Sequence, residues 1–191
     1  MVTSAEAKPI YTTDEYFARE LSSEIRHEFI NGEIIPMTGG TPEHNEITSI
    51  LNAVLRLNLK GKPYSIFIAD QRLWIPQRNL YTYPDVMVVP RPLERQVGRS
   101  DTLVNPILIA EVLSKSTKNY DRGEKFAAYR TLLTFQEYLL IDPSTPQVER
   151  YFKTGSCQWI FTEYKDLNAS ISLESIPCNI RLSELYEALD A

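Results

Sequence analysis

The apolar positions of this chain change period several times, and the period is the first guide to its elements. In "TPEHNEITSILNAVLRLNLKGK", Ile47, Ile50, Leu51, Val54 and Leu57 recur at helical spacing. Thr41 is placed to cap that helix, Pro42 to open it and Gly61 to end it. Upstream, Thr13 is expected to cap a short helix through about Leu21. Asn31-Gly32, between the apolar arms of "HEFINGEIIPM", is a hairpin turn signal. After Gly61 the runs shorten to strands. "YSIFIADQRLWI" reads as one strand bent near Asp70, and "YTYPDVMVVP" and "PILIAEVL" as two more, separated by a polar loop from Arg91 to Asn105. A helix from Arg122 to about Leu133 follows, then the strand "QEYLLID". The end predicts a second hairpin turning at Thr154-Gly155-Ser156 and a closing helix, "LSELYEAL", capped by Ser183. Residues 1–10 read as a loose tail and residues 11–191 as one domain. The expected fold class is α/β (α+β), a mixed sheet flanked by helices with a β-hairpin near each end.

Composition changes this picture little, and charge changes it more. At 191 residues, 43% apolar and 24% charged, the chain is an ordinary globular one. No apolar run approaches the ~20 residues that span a bilayer. The start lacks a basic region followed by an apolar one, so no secretory signal, no membrane partner and a cytoplasmic location are expected. Cys157 and Cys178 have no metal-type spacing and read as free thiols. The net charge is −5, but residues 56–130 hold 13 Lys/Arg against 7 Asp/Glu while the flanks are acidic. Such a middle segment is either a surface for phosphate or a chance segregation of solvated charges.

Two carboxylates stand in apolar strands: Asp85 in "YPDVMVVP" and Glu111 in "ILIAEVLS". By alternation Glu111 shares its face with Ile107, Ile109 and Leu113. A buried carboxylate is costly without a partner. Each acid could reach solvent at an edge, pair with a buried Arg or Lys, or converge with the other on a divalent cation. Asp121 and Glu124 have capping-box spacing, so Arg122 would open a helix, and capping alone would explain Asp121. Lys125 then falls on one stripe with Ala128, Tyr129 and Leu132, which turns it toward the sheet unless it snorkels to the surface. Tyr129 reads as core, and Glu28 and Glu33 as structural residues of the first hairpin.

These residues resemble a family. "PD" on one strand and an acid on the next are similar to the PD-(D/E)xK nuclease superfamily. "RHEFINGEI", "YTYPDVMVV" and "ILIAEVLSKSTKNYDRGEKFAAYR" resemble more closely the bacterial family described as "putative restriction endonuclease", long a domain of unknown function. The likeness runs from about Tyr11 to Leu189. It implies a restriction-endonuclease-like core and a Mg²⁺-dependent (or Mn²⁺-dependent) endonuclease acting on DNA. Asp85, Glu111 and the carbonyl of Val112 would hold the metal. The superfamily's usual lysine position, two residues after the acid, is Leu113 here, so the resemblance implies a lysine moved to Lys125. Lys115 and Lys118, read as loop residues, are rivals and, with Arg122, expected phosphate contacts. His44 and Glu46 stand where superfamily members often carry a further acid, and Asp70 matches a recurrent family acid. Each of these three also has an ordinary structural explanation. A homodimer is expected by the same resemblance. The missing in-line lysine keeps a second class open: a non-catalytic DNA-binding or partner-binding protein of the same fold.

Overall fold

The computed structural model describes residues 9–187 and 189. Thr12, not Thr13, caps α1 (Thr13–Ser22). Its side chain accepts the Glu15 N–H while Glu15 reaches back to the Thr12 N–H, a complete capping box. The tail predicted for residues 1–10 falls largely outside the described residues; Tyr11 already pairs its N–H with the Gly32 carbonyl. Strands β1 (His27–Ile30) and β2 (Glu33–Pro36) form the first hairpin. Asn31 and Gly32 both take positive φ, as a tight two-residue turn requires. Helix α2 (Pro42–Asn58) is capped by Thr41 as predicted and buries Ile47, Leu51 and Leu55.

The next two predicted strands each divide. "YSIFIADQRLWI" is β3 (Tyr64–Ile68) and β4 (Arg72–Ile75), broken at Ala69, whose φ is positive. "YTYPDVMVVP" is β5 (Leu80–Thr82) and β6 (Val86–Pro90), broken at Pro84, which has no N–H for a ladder. In both cases the two halves enter different sheets. The polar loop contains a two-residue strand, β7 (Thr102–Leu103), parallel to β4. Strand β8 (Leu108–Val112) follows.

The lysine-bearing helix starts earlier than expected. It runs as α3 (Lys118–Tyr120), a π-helical segment Asp121–Lys125 and α4 (Phe126–Tyr129). Asp121 is therefore inside the helix and caps nothing, and Lys118 opens the helix rather than lying in a loop. Strands β9 (Glu137–Asp142), β10 (Gln147–Lys153) and β11 (Trp159–Tyr164) complete the main sheet. A further hairpin, β12 (Ser170–Leu173) and β13 (Cys178–Arg181), was not anticipated. It leads into α5 (Leu182–Tyr186), preceded by Arg181 rather than capped by Ser183.

Six strands form one mixed sheet, β11-β10-β9-β8-β6-β3, in which only β8 and β9 are parallel. Five form another, β2-β1-β5-β4-β7. Strand alternation splits the central strands between two cores. Val86, Val88, Leu108 and Ala110 pack against α2, α5 and the last hairpin. Met87, Val89, Ile109 and Leu113 pack against α4 and the five-stranded sheet. Ile107 lies before β8 and joins the first core, opposite to its expected face. Glu111 is thus an acid on the face that meets α4.

Candidate active site

Asp85 is the residue that enters β6, and Val86 pairs with Ala110 on β8, so Asp85 and Glu111 meet across adjacent strands. Each is braced by the other's strand. The Asp85 N–H donates to Glu111 Oε2 at 3.2 Å, and the Val112 N–H donates to Asp85 Oδ2 at 2.8 Å. His44, in the first turn of α2, brings Nε2 to 3.1 Å from the same Asp85 oxygen. Its Nδ1 is buried without a hydrogen-bond partner.

Lys125 comes from the helix over that wall. Its Nζ lies 2.9 Å from Glu111 Oε1 and 3.6 Å from both Glu28 Oε1 and Asp121 Oδ1. The Tyr129 hydroxyl donates to Glu111 Oε1 at 2.6 Å. Thr82 donates to Glu28, and the Tyr120 hydroxyl bonds the same carboxyl group. The π-helical segment ends at Lys125; such segments recur at functional sites because the extra residue re-aims the side chains that follow. Glu111, Asp121, Glu28 and Lys125 are all buried, so these charges act on one another with little screening by water.

The electrostatics divide the two strand acids. Burial raises the Glu111 carboxyl to about 8; Lys125 pulls it down, while Asp85 and Asp121 push it further up. Asp85 goes the other way. Burial opposes its ionisation, but the His44 hydrogen bond and charge, the Lys125 charge and the Val112 N–H outweigh it and hold Asp85 below its usual value. His44 is correspondingly raised by its bond to Asp85. Lys125 is stripped of water, yet Glu111, Glu28 and Asp121 keep its ammonium charged well past the ordinary lysine range.

The structure brings Asp85, Glu111, Lys125, Val112 and His44 together around one cleft of about 670 Å³. Asp70 lies on its rim, exposed and ion-paired to Arg26 at 3.1 Å. Glu46 is exposed on α2 and does not line the cleft. Lys115 and Lys118 are exposed beside Ser114, Ser116 and Thr117, which form the lip. Arg122 turns away to Glu149, 2.6 Å from Oε1. Sequence reading missed three members: Glu28, Asp121 and Tyr129. Each reads in the sequence as an ordinary hairpin, cap or core residue, and only its position around Lys125 and Glu111 distinguishes it.

Among the described residues no three His, Cys, Asp or Glu side chains form a ready-made metal cluster. The donor set is two carboxylates on one cleft wall. That suits a hard cation such as Mg²⁺, which takes one or two carboxylates and completes its shell with water and phosphate. It does not suit a structural zinc site, which needs four protein ligands.

The comparisons agree with this geometry at the level of fold and family. A family model described as "Putative restriction endonuclease" (Uma2) matches residues 13–184. "Uncharacterized protein sll1609" of Synechocystis sp. is 44% identical over 162 residues, 85% of this chain and 92% of the relative. "Uncharacterized protein slr1290" of the same organism is 30% identical over 181 residues, 95% of this chain and 94% of the relative. A crystal structure described as a putative nuclease belonging to DUF820, from Anabaena variabilis, superposes with a TM-score of 0.70 over 86% of this chain and 92% of the other. At 19% identity that likeness concerns the fold. The family match over residues 13–184 leads to one conclusion: this protein belongs to the Uma2 family, described as "Putative restriction endonuclease".

Proposed function

We propose that this chain is a Mg²⁺-dependent endonuclease that hydrolyses phosphodiester bonds in DNA. The observation that carries the reading is the convergence of Asp85, Glu111 and Lys125 on one wall of one cleft, with Lys125 Nζ 2.9 Å from Glu111. Asp85 and Glu111 are the residues that would hold the cation, with Val112 beside them. Bound there, Mg²⁺ would acidify a water and offset charge on the scissile phosphate. Lys125 supplies a fixed positive charge where the phosphate oxygens gain negative charge, and Glu28 and Asp121 hold that ammonium in place. Tyr129 fixes the Glu111 carboxylate in one orientation. Lys115 and Lys118, exposed in sequence beside the cleft-lining Ser114, Ser116 and Thr117, would meet flanking phosphates.

The test is cleavage of a mixed panel of DNA and RNA with Mg²⁺ or Mn²⁺. Asp85→Ala should lose both cation binding and cleavage. Lys125→Ala should lose cleavage, by about 3 kcal/mol of transition-state stabilisation, and keep cation binding. Lys125→Arg should not fully restore it, because a planar fork does not replace a compact ammonium. If the wild-type chain binds nucleic acid and cuts none of the panel, it is a non-catalytic binding protein of this fold.

A further inference from the structure

The walls of the cleft differ in chemistry. Ile30, Ile35 and Pro36 from the first hairpin, with Met37 and Ile25 flanking it, form an apolar wall, and Ile25 and Ile35 are 51% and 39% exposed. The acids come from other elements, Asp85 and Glu111 from the main sheet and Asp121 from the lysine helix, except Glu28, which stands on the hairpin itself as the cross-strand partner of Ile35; Asp70 and Glu124 also line the cleft. Among the described residues only two Lys or Arg side chains line the cleft, and both are engaged, Arg26 with Asp70 and Lys125 with three acids; His44 bonds Asp85. Of the basic residues in the middle segment, only Lys125 reaches the cleft. Arg72, Arg99 and Arg122 are spent on internal ion pairs.

A duplex laid along such a cleft would bring two phosphate backbones toward an acidic lining whose only Lys and Arg are already paired, without the row of Lys and Arg that duplex binding uses. The volume, about 670 Å³, is that of a small-molecule site, typically about 300 to 1,000 Å³. A single nucleotide out of the helix satisfies both walls. Its base lies against the apolar hairpin face, as enzymes that extrude a nucleotide hold the base between apolar or aromatic side chains. Its phosphate faces Asp85, Glu111 and Lys125, and the flanking phosphates leave past Lys115 and Lys118. We infer that the cleft takes an unpaired nucleotide, so that the substrate class is single-stranded or locally unpaired nucleic acid rather than intact duplex. This rests on the nuclease reading for the role of the carboxylate wall.

The test separates binding from cutting. A fluorescein-labelled single-stranded oligodeoxynucleotide, the same sequence as RNA, and the blunt DNA duplex are titrated with the full chain in Ca²⁺. The single strands should bind at least tenfold more tightly than the duplex. Ile35→Asp and Met37→Ser should each weaken single-strand binding about tenfold and leave duplex binding unchanged; circular dichroism checks that both variants fold. A 2-aminopurine in the strand should change its emission on binding to the wild type and not to Ile35→Asp. Equal affinity for strand and duplex, no binding to either, or variants that bind like the wild type would overturn the inference. The parallel digest in Mg²⁺ reports on the nuclease reading separately. A strand preference without any cleavage sinks the nuclease and keeps the unpaired-nucleotide site; internal cutting of duplex at equal affinity does the reverse.

Discussion

Glu111 is 2% exposed in the middle of a strand, a costly place for a charge. Its neighbours soften that cost without removing it, and the carboxyl titrates near 8 instead of 4.5. Between those values the folded protein holds a proton that the unfolded chain has released, so stability falls as pH rises through that window. His44 adds the same sign: its bond to Asp85 raises it from 6.5, and that stabilisation is lost as pH rises through its folded value. Asp85 acts at the acid end, where its contribution, held above about 3.8, is lost as pH falls through its lowered value. These three groups together place the greatest stability of the metal-free protein between about pH 3.8 and 4.5, above the Asp85 loss and below the Glu111 decline. Glu111→Gln should remove much of the decline toward pH 8, which at most amounts to roughly 1.4 kcal/mol per pH unit. Urea melts at half-unit pH steps give the answer, and an unchanged slope in the variant would remove Glu111 as the source. Lys125→Met should cost about 3 kcal/mol in the same melts, because it leaves Glu28, Glu111 and Asp121 without their shared cation.

At the scale of elements, the first hairpin and the lysine helix carry the site from opposite sides. The hairpin depends on Gly32, at φ +97°, where an added Cβ would lie 2.7 Å from Ile10 Cγ2. Gly32→Ala should destabilise by about 1 kcal/mol or more, seen as a fall of about 2–4 °C per kcal/mol in the melting temperature of a chain this size. Gly123 is the contrasting case. It lies in the π-helical segment with no atom within 4 Å of an added Cβ. Gly123→Ala should be neutral or stabilising by up to about 1 kcal/mol through helix propensity; a loss of stability there would mean that the segment itself needs the glycine.

At the scale of the whole molecule, the basic middle segment divides: Arg72, Arg99, Arg122 and Lys125 are held in ion pairs, while most of its other Lys and Arg residues are exposed. Arg72 ties Asp101 to an aromatic cluster through Tyr16, Phe17 and Tyr83, and Arg122 joins the helix to β10 through Glu149. Lys115 and Lys118 remain exposed. Replacing each by Ala should weaken nucleic-acid binding and lower the slope of log affinity against log salt by about 1. Arg122→Ala should instead lower stability with little change in that slope. Binding titrations from low to moderate salt distinguish the three, and a slope unaffected by Lys115 and Lys118 would place the phosphate contacts elsewhere.

What the sequence determined by itself was local. Asn31-Gly32 specifies its turn through backbone freedom at two positions, and Thr41-Pro42 starts α2 through a cap and a preset φ. The stripe of Lys125, Ala128, Tyr129 and Leu132 shows which way the lysine faces, because helical periodicity needs no knowledge of the partner. The same locality explains the misreadings. "YTYPDVMVVP" and "YSIFIADQRLWI" are uniformly strand-like, and nothing within them states that their halves join different sheets; that follows from pairing with β1 and β8, distant in the chain. Glu28 and Asp121 look ordinary at residue range. Only the tertiary structure sets them 3.6 Å from Lys125, because charge pairing in a buried site depends on distance in space, which local residue pattern does not record.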